Sequence, residues 1–117
     1  MLRKQVEALQ RRHHNSTRLM YADYYGLVYQ MVQEPHKFGT WLGALGFSAP
    51  FEACCGVGGG KYNFDLSARC GMDGATVACR HPSARLSWDG IHPTEAANKV
   101  IAGALLRGPY CTPPILS

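Results

Sequence analysis

Two adjacent cysteines constrain this chain more than any other feature. Cys54 and Cys55 stand side by side, with Cys70, Cys79 and Cys111 downstream. In an extended backbone successive side chains point opposite ways, so the neighbours reach separate partners more easily than each other. Cys70 and Cys79 can serve as those partners, and an oxidising compartment suits the arrangement. Five is an odd number, so Cys111 is left over. In a reducing cytosol all five would stay thiols. Zinc is the competing use of the same cysteines, together with His81. The spacing is Cys-x8-Cys-x-His, with no C-x2-C or H-x3-H unit, and no metal site is expected.

The second constraint is Ser87-Trp88-Asp89-Gly90-Ile91-His92-Pro93-Thr94-Glu95-Ala96. It puts a carboxylate and an imidazole three residues apart, just before a helix. Gly90 between them permits a tight turn. Such a turn brings the Asp89 carboxylate to His92 Nδ1, fixes the tautomer and leaves Nε2 to take a proton from a nucleophile. Pro93 presets φ for helix entry, and Thr94 suits an N-cap or first-turn position. A helix N-terminus disfavours nearby positive charge, and Asp89 counters that effect. Asp89 and His92 are therefore the candidate orienter and base of a hydrolytic triad. The competing account is a loop Asp and His beside a helix cap, since D-x-x-H alone is short and common.

Around this stretch, periodicity supplies a few elements. Leu2 to Arg12 reads as an amphipathic helix with Leu2, Val6 and Leu9 on one face. Arg18 to Ala22 is a short, mostly apolar run, expected as a buried parallel strand. Asp23 at its end can cap the next helix. Carboxylates at the ends of parallel strands are often functional, but capping is the simpler account. That helix carries Tyr25, Val28, Tyr29 and Val32 at i, i+3, i+4 and i+7, read as packing residues, and Pro35 marks its end. His36 to Phe51 reads as a loop. Gly56 to Gly60 before Lys61 invites a phosphate-loop reading. That motif needs G-x-x-x-x-G-K-[ST], and Cys55 and Tyr62 occupy its first and last positions. A tight turn is expected instead. Thr94 to Leu106 is a helix with Ala97, Val100, Ile101, Ala104 and Leu105 on its apolar face, stopped by Gly108 and Pro109. The tail through Thr112-Pro113-Pro114 is expected to be extended and exposed.

Several blocks resemble one family. Trp88-Asp89-Gly90-Ile91-His92, continuing through Thr94-Glu95-Ala96-Ala97, resembles the last block of the plant GDSL esterase/lipase family, within the SGNH hydrolases. Tyr21-Ala22-Asp23-Tyr24-Tyr25 resembles its Y-A-D-Y-Y segment. Ala53-Cys54-Cys55-Gly56-Val57-Gly58-Gly59-Gly60-Lys61-Tyr62-Asn63 resembles its A-C-C-G-x-G-G-x-Y-N segment, and Leu106-Arg107-Gly108-Pro109-Tyr110 its usual ending. The blocks come in family order and cover nearly all of the chain from Tyr21. Residues Thr40 to Phe47 depart from the pattern and look like a short insertion.

The resemblance implies an ester hydrolase working through an acyl-serine intermediate on a small-molecule ester or lipid, with Asp89 and His92 as two triad members. It implies an α/β fold: the C-terminal part of a three-layer α/β/α SGNH-hydrolase (flavodoxin-like) domain, with an incomplete sheet. Residues 1–117 are then the C-terminal portion of a GDSL esterase/lipase domain. The family's nucleophilic serine lies in a Gly-Asp-Ser block, and a glycine and an asparagine from two further blocks complete its oxyanion hole. Of the serines here, Ser16, Ser48, Ser67, Ser83, Ser87 and Ser117, none follows Gly-Asp. The expectation is a chain that carries the base without the nucleophile. The alternative is an inactive, cysteine-rich binding module derived from such an enzyme. No metal or organic cofactor is implied.

Composition bounds the rest. A 117-residue chain makes at most one domain, and 46% hydrophobic residues argue against disorder. A formal charge of +4 does not by itself diagnose nucleic-acid binding. The cluster Arg11-Arg12-His13-His14 is expected to be a solvated helix end without a nucleic-acid partner. No run is long and apolar enough for stable membrane insertion. Met1 to Glu7 shows no apolar signal-peptide core, whereas members of the resembled family are usually secreted. The oligomeric state is not expressed in any of these features.

Overall fold

A computed structural model of the chain describes residues 1–38 and 46–116. Most of the expected insertion, Thr40 to Leu45, lies outside the described residues. The elements are α1 (Leu2–His13), β1 (Tyr21–Ala22), α2 (Tyr24–Gln33), β2 (Cys55–Gly56), β3 (Val77–Ala78), α3 (Glu95–Arg107) and β4 (Cys111–Thr112), with short 3-10 turns at Pro35–Phe38 and Pro82–Ala84. The chain divides into two compact units. One combines Met1–Tyr29 with Ile101–Ser117, and the other is Gln30–Val100.

The first unit rests on helices and one small sheet. β1 and β4 run antiparallel, with Tyr21 opposite Thr112 and Ala22 opposite Cys111. This corrects the expected buried parallel strand at Arg18 to Ala22. β4 follows the turn at the end of α3 and meets β1 running the opposite way, in a pairing only two residues long between segments far apart in the chain. Ala22 is exposed. The next hydrogen bond, from the Asp23 N–H to the Tyr110 carbonyl at 2.7 Å, ties the same two segments. The Arg18 guanidinium donates to the carbonyls of Pro114 and Ile115. The tail is thus extended but partly pinned, with Cys111 buried and Thr112 and Pro114 exposed.

Helix α1 forms where expected, yet none of its residues is buried and Leu2 is 63% exposed. Its support is polar: an Arg3–Glu7 ion pair one turn apart at 3.2 Å, and the Gln10 side chain bonded to the Leu19 N–H and the Thr17 carbonyl. Helix α2 corrects the expected packing face. Its fully buried residues are Leu27 and Met31, while Tyr25 is 77% exposed and stacks on Tyr29 with ring centroids 6.0 Å apart. Apart from Gln30 and Gln33, α2 carries an apolar or aromatic residue or Gly26 at every position. Helical spacing therefore cannot choose between two adjacent apolar stripes.

The second unit has little regular structure. β2 and β3 pair antiparallel, Cys55 opposite Ala78 and Gly56 opposite Val77. Cys79 N–H extends this pairing to the Cys54 carbonyl at 2.7 Å. The same segment faces a third extended stretch, since Cys54 N–H donates to the Ser87 carbonyl at 3.1 Å and Cys55 N–H to the Trp88 carbonyl at 2.7 Å. Two disulfides staple this arrangement, Cys54–Cys79 and Cys55–Cys70, with Cα separations of 4.8 and 5.3 Å. Each adjacent cysteine takes its own partner, as the alternation of side chains along an extended backbone requires. By loop-closure entropy each bridge contributes about 3 kcal/mol. The buried residues of this unit include Met31, Phe47, Ala53, Cys54, Cys55, Ala75, Ala97 and Val100.

Candidate active site

The stretch after Trp88 turns back sharply. Trp88 N–H donates to the His92 carbonyl at 2.8 Å, and Ser87 and Pro93 form an antiparallel bridge. Gly90 sits at the apex with φ near +90°, a conformation that L side chains rarely adopt. Its N–H donates to Ser87 Oγ at 3.0 Å. The Asp89 carboxylate then closes the turn from inside. Its Oδ1 accepts the backbone N–H of Ile91 at 2.9 Å and of His92 at 2.7 Å, a local side-chain-to-backbone pattern that short acidic residues favour.

That use of Oδ1 leaves Oδ2 for the imidazole. Asp89 Oδ2 and His92 Nδ1 lie 2.7 Å apart. Burial would push the Asp89 carboxyl up. The His92 backbone N–H, the His92 ring and the Ile91 N–H outweigh it, and the carboxyl lies below its ordinary value. An ionised carboxylate only accepts hydrogen bonds. Nδ1 therefore carries the proton, and Nε2 is the nitrogen available for proton transfer. The imidazole is 71% exposed and the Asp89 side chain 19%. The structure thus brings both sequence-predicted residues together in one hydrogen-bonded pair.

Helix α3 begins immediately after the pair. Thr94 is the cap: its Oγ1 accepts the Ala97 N–H at 3.1 Å, and its carbonyl accepts the Asn98 N–H at 2.9 Å. The hydroxyl also donates to the Arg85 carbonyl at 2.6 Å, and the Thr94 N–H donates to the Leu86 carbonyl at 2.9 Å. Thr94 is 2% exposed. One residue thus fastens the helix start to the segment that leads into the turn. Glu95 adds a carboxylate in the first turn, where the helix dipole favours it.

The cystine segment and the pair are coupled through backbone. Trp88, whose carbonyl accepts from Cys55, directly precedes Asp89. Beside the turn lies a cleft of about 490 Å³, lined mainly by apolar groups including Phe38, Phe47, Trp88, Pro93 and Val100. It flanks the pair through Trp88 and Pro93, while Asp89 and His92 are not among its lining residues.

The remaining candidates separate from this site. Asp23 caps α2, its Oδ1 accepting the Gly26 N–H at 3.0 Å. The four cysteines weighed as zinc ligands are consumed in disulfides, and Cys111 is a buried free thiol. Among the described residues no three His, Cys, Asp or Glu side chains converge to hold a metal. The glycine-rich stretch leads into a turn at Lys61 rather than into a helix. Arg11, Arg12, His13 and His14 are exposed at the end of α1. Among the described residues no helix is long and apolar enough to cross a membrane. Residue reasoning overlooked Ser87, Asn63 and Phe64. Asn63, with φ near +49°, donates through Nδ2 to the Ala53 carbonyl at 2.9 Å and accepts the Gly58 N–H at 2.6 Å. Its asparagine identity beside glycines was the available signal.

Comparison with known proteins places these residues in context. The family model described as GDSL-like Lipase/Acylhydrolase matches residues 2–105. The chain is 46% identical over 96 residues to GDSL esterase/lipase At1g28600 of Arabidopsis thaliana, covering 82% of this chain and 22% of that protein. It is 45% identical over 95 residues to the sinapine esterase of Brassica napus, covering 81% and 22%. It is 38% identical over 120 residues to GDSL esterase/lipase ACHE of Zea mays, covering 96% and 28%. The chain therefore spans between about a fifth and just over a quarter of the length of these relatives. No solved structure matches it.

Proposed function

Because the chain belongs to the GDSL-like lipase/acylhydrolase family, we propose that it supplies the proton-transfer arm of an ester hydrolase, with His92 as general base and acid and Asp89 as its orienter. The nucleophile in this reading is a serine from the family's Gly-Asp-Ser block, a tripeptide that does not occur in these 117 residues. Nε2 of His92 takes the serine proton as the hydroxyl attacks the ester carbonyl. It then returns that proton to the leaving alcohol, and the cycle repeats with water on the acyl-serine. Asp89 keeps the ring in the Nδ1–H tautomer and stabilises the imidazolium formed in each half-reaction.

The observation that carries this reading is the 2.7 Å contact between Asp89 Oδ2 and His92 Nδ1, with Oδ1 committed to two backbone amides. A loop Asp and His without a joint role need no such division of oxygens. The substrate class is a small organic ester or lipid, in keeping with a relative named as a sinapine esterase. In the same reading α3 docks on a parallel sheet of a three-layer α/β/α domain, whose other strands lie outside these residues.

The test is a chimera in which this chain replaces the matching region of one of these relatives. The chimera should hydrolyse short-chain nitrophenyl esters. His92→Ala should lower turnover by up to about 10⁶-fold, the scale seen when one member of a serine triad is lost. The 117-residue chain on its own should hydrolyse no faster than its His92→Ala variant. A folded chimera whose rate ignores His92→Ala would refute the assignment.

A further inference from the structure

We propose that Phe64 is a positioning residue for the pair: its ring fixes the Gly90 turn that holds His92 against Asp89. The inference rests on the hydrolase reading only for its catalytic meaning, since the positioning itself is a statement about geometry. A β-carbon placed on Gly90 would lie 2.3 Å from Phe64 Cδ2, 2.9 Å from Cγ and 3.0 Å from Cε2. The ring therefore fills the space a side chain at position 90 would need. Most other glycines with positive φ differ. Gly58, Gly60, Gly71 and Gly74 have open space where their β-carbons would be.

This contact has a physical use. Glycine is the freest residue in the chain, and Gly90 is the first of the two residues between the members of the pair. The imidazole is largely exposed, so packing around His92 itself does little to immobilise it. Left alone, a glycine turn can relax to other φ values and carry the ring away from the carboxylate. An aromatic ring in the space where a Gly90 β-carbon would stand removes much of that freedom without adding a polar group.

Phe64 is also held on the same frame as the pair. Its neighbour Asn63 bonds to Ala53 and Gly58, and the Ala53 N–H donates to the Tyr62 carbonyl at 2.9 Å. Ala53 directly precedes the cystine segment, whose amides hold Ser87 and Trp88. Gly56 repeats the theme on the other side of that segment, since a β-carbon there would lie 2.1 Å from the Asn63 carbonyl oxygen. Ring and turn thus hang from one disulfide-braced strand, which lets a contact between residues far apart in sequence set a distance between Asp89 and His92.

The test uses the oxidised 117-residue chain labelled with ¹⁵N, reading the ring nitrogens of His92 by NMR across pH. The parent should show mainly the Nδ1–H tautomer in its neutral form, and Asp89→Asn should invert that preference. Phe64→Ala should give a mixed tautomer population, Phe64→Leu an intermediate one, and Phe64→Tyr the parental one. In the chimera Phe64→Ala should lower kcat by up to about 10²-fold, the scale of a small misplacement of a catalytic group, with little change in KM. A parental tautomer in Phe64→Ala, or equal losses in Phe64→Tyr and Phe64→Ala, would overturn the proposal. If Phe64→Ala does not fold, the ranking of Phe64→Leu against Phe64→Tyr decides. A shifted tautomer in a chimera indifferent to His92→Ala would keep the positioning role and remove the hydrolase reading instead.

Discussion

The two units of this chain hold their backbones by different means. Met1–Tyr29 with Ile101–Ser117 relies on helices and a two-residue antiparallel pairing, and its cysteine, Cys111, is an unbridged thiol. Gln30–Val100 has few helical turns outside α2 and α3 and carries both disulfides. There, side chains take over work that helices do elsewhere. Asn63, Asp89, Ser87 and Thr94 each bond to backbone across a turn. The difference teaches where a precise contact can be placed. A helix fixes positions three and four residues apart on its own surface. A loop braced by cystines and side-chain-to-backbone bonds can fold an aspartate onto a histidine before a helix starts.

Removing the braces should break this contrast first. Replacing Cys55 and Cys70 by serine together should destabilise the second unit by about 3 kcal/mol. Amide exchange at Cys55 should speed up strongly, while exchange at Asp23 in the first unit should not. Equal acceleration at both amides would show that the units do not differ in the way described. Alkylation followed by mass measurement gives a simpler check. Without reductant only Cys111 should be modifiable once the chain is unfolded, and labelling of all five would exclude both bridges.

Loss of the helix cap comes next. Thr94→Ala should cost about 1–2 kcal/mol, toward the upper end of measured caps, because the hydroxyl also serves the Arg85 carbonyl. Thr94→Ser should recover most of it. Denaturant titration reads both values, and a neutral Thr94→Ala would mean that the helix start is not fastened to the segment before the turn.

Acid gives a smaller effect with a definite sign. Although burial opposes it, the amides and ring of His92 and the Ile91 amide hold the Asp89 carboxyl below its ordinary value of 3.8. The native chain thus binds fewer protons here than the unfolded chain does. Asp89 contributes stability that is complete above that ordinary value and is lost as pH falls through the lower native one. The side-chain carboxyl carbon of Asp89 should therefore titrate below 3.8 by NMR. A midpoint above that value would contradict the geometry of the turn.

What was legible in the sequence was local. Asp89 and His92, the Thr94 helix start and the Asp23 cap each involve partners within four residues, so spacing and turn chemistry reached them. The cysteines were legible as a set because adjacency forbids the obvious pair, although which bridge joined which cysteine stayed open. Features that depend on distant partners were not. β1 was expected to be parallel because its apolar run carries no sign of β4, about ninety residues away. On α2 the apolar residues cover too much of the surface for periodicity to pick Leu27 and Met31 over Tyr25 and Tyr29. Phe64 shows nothing until its ring is seen against Gly90. Family membership followed from several short blocks in order, each of which would be weak alone.

The central claim is that Asp89, and not Asp23 at the start of α2, orients the base. Turnover of the chimera with Asp89→Asn and with Asp23→Asn measures this most directly. Asp89→Asn should leave the fold intact and lower kcat by up to about 10⁴-fold through the wrong tautomer. Asp23→Asn should leave turnover near the parental value and cost only a few tenths of a kcal/mol in stability, because asparagine caps helices about as well as aspartate. A folded Asp23→Asn chimera without activity, beside an Asp89→Asn chimera at the parental rate, would contradict the account.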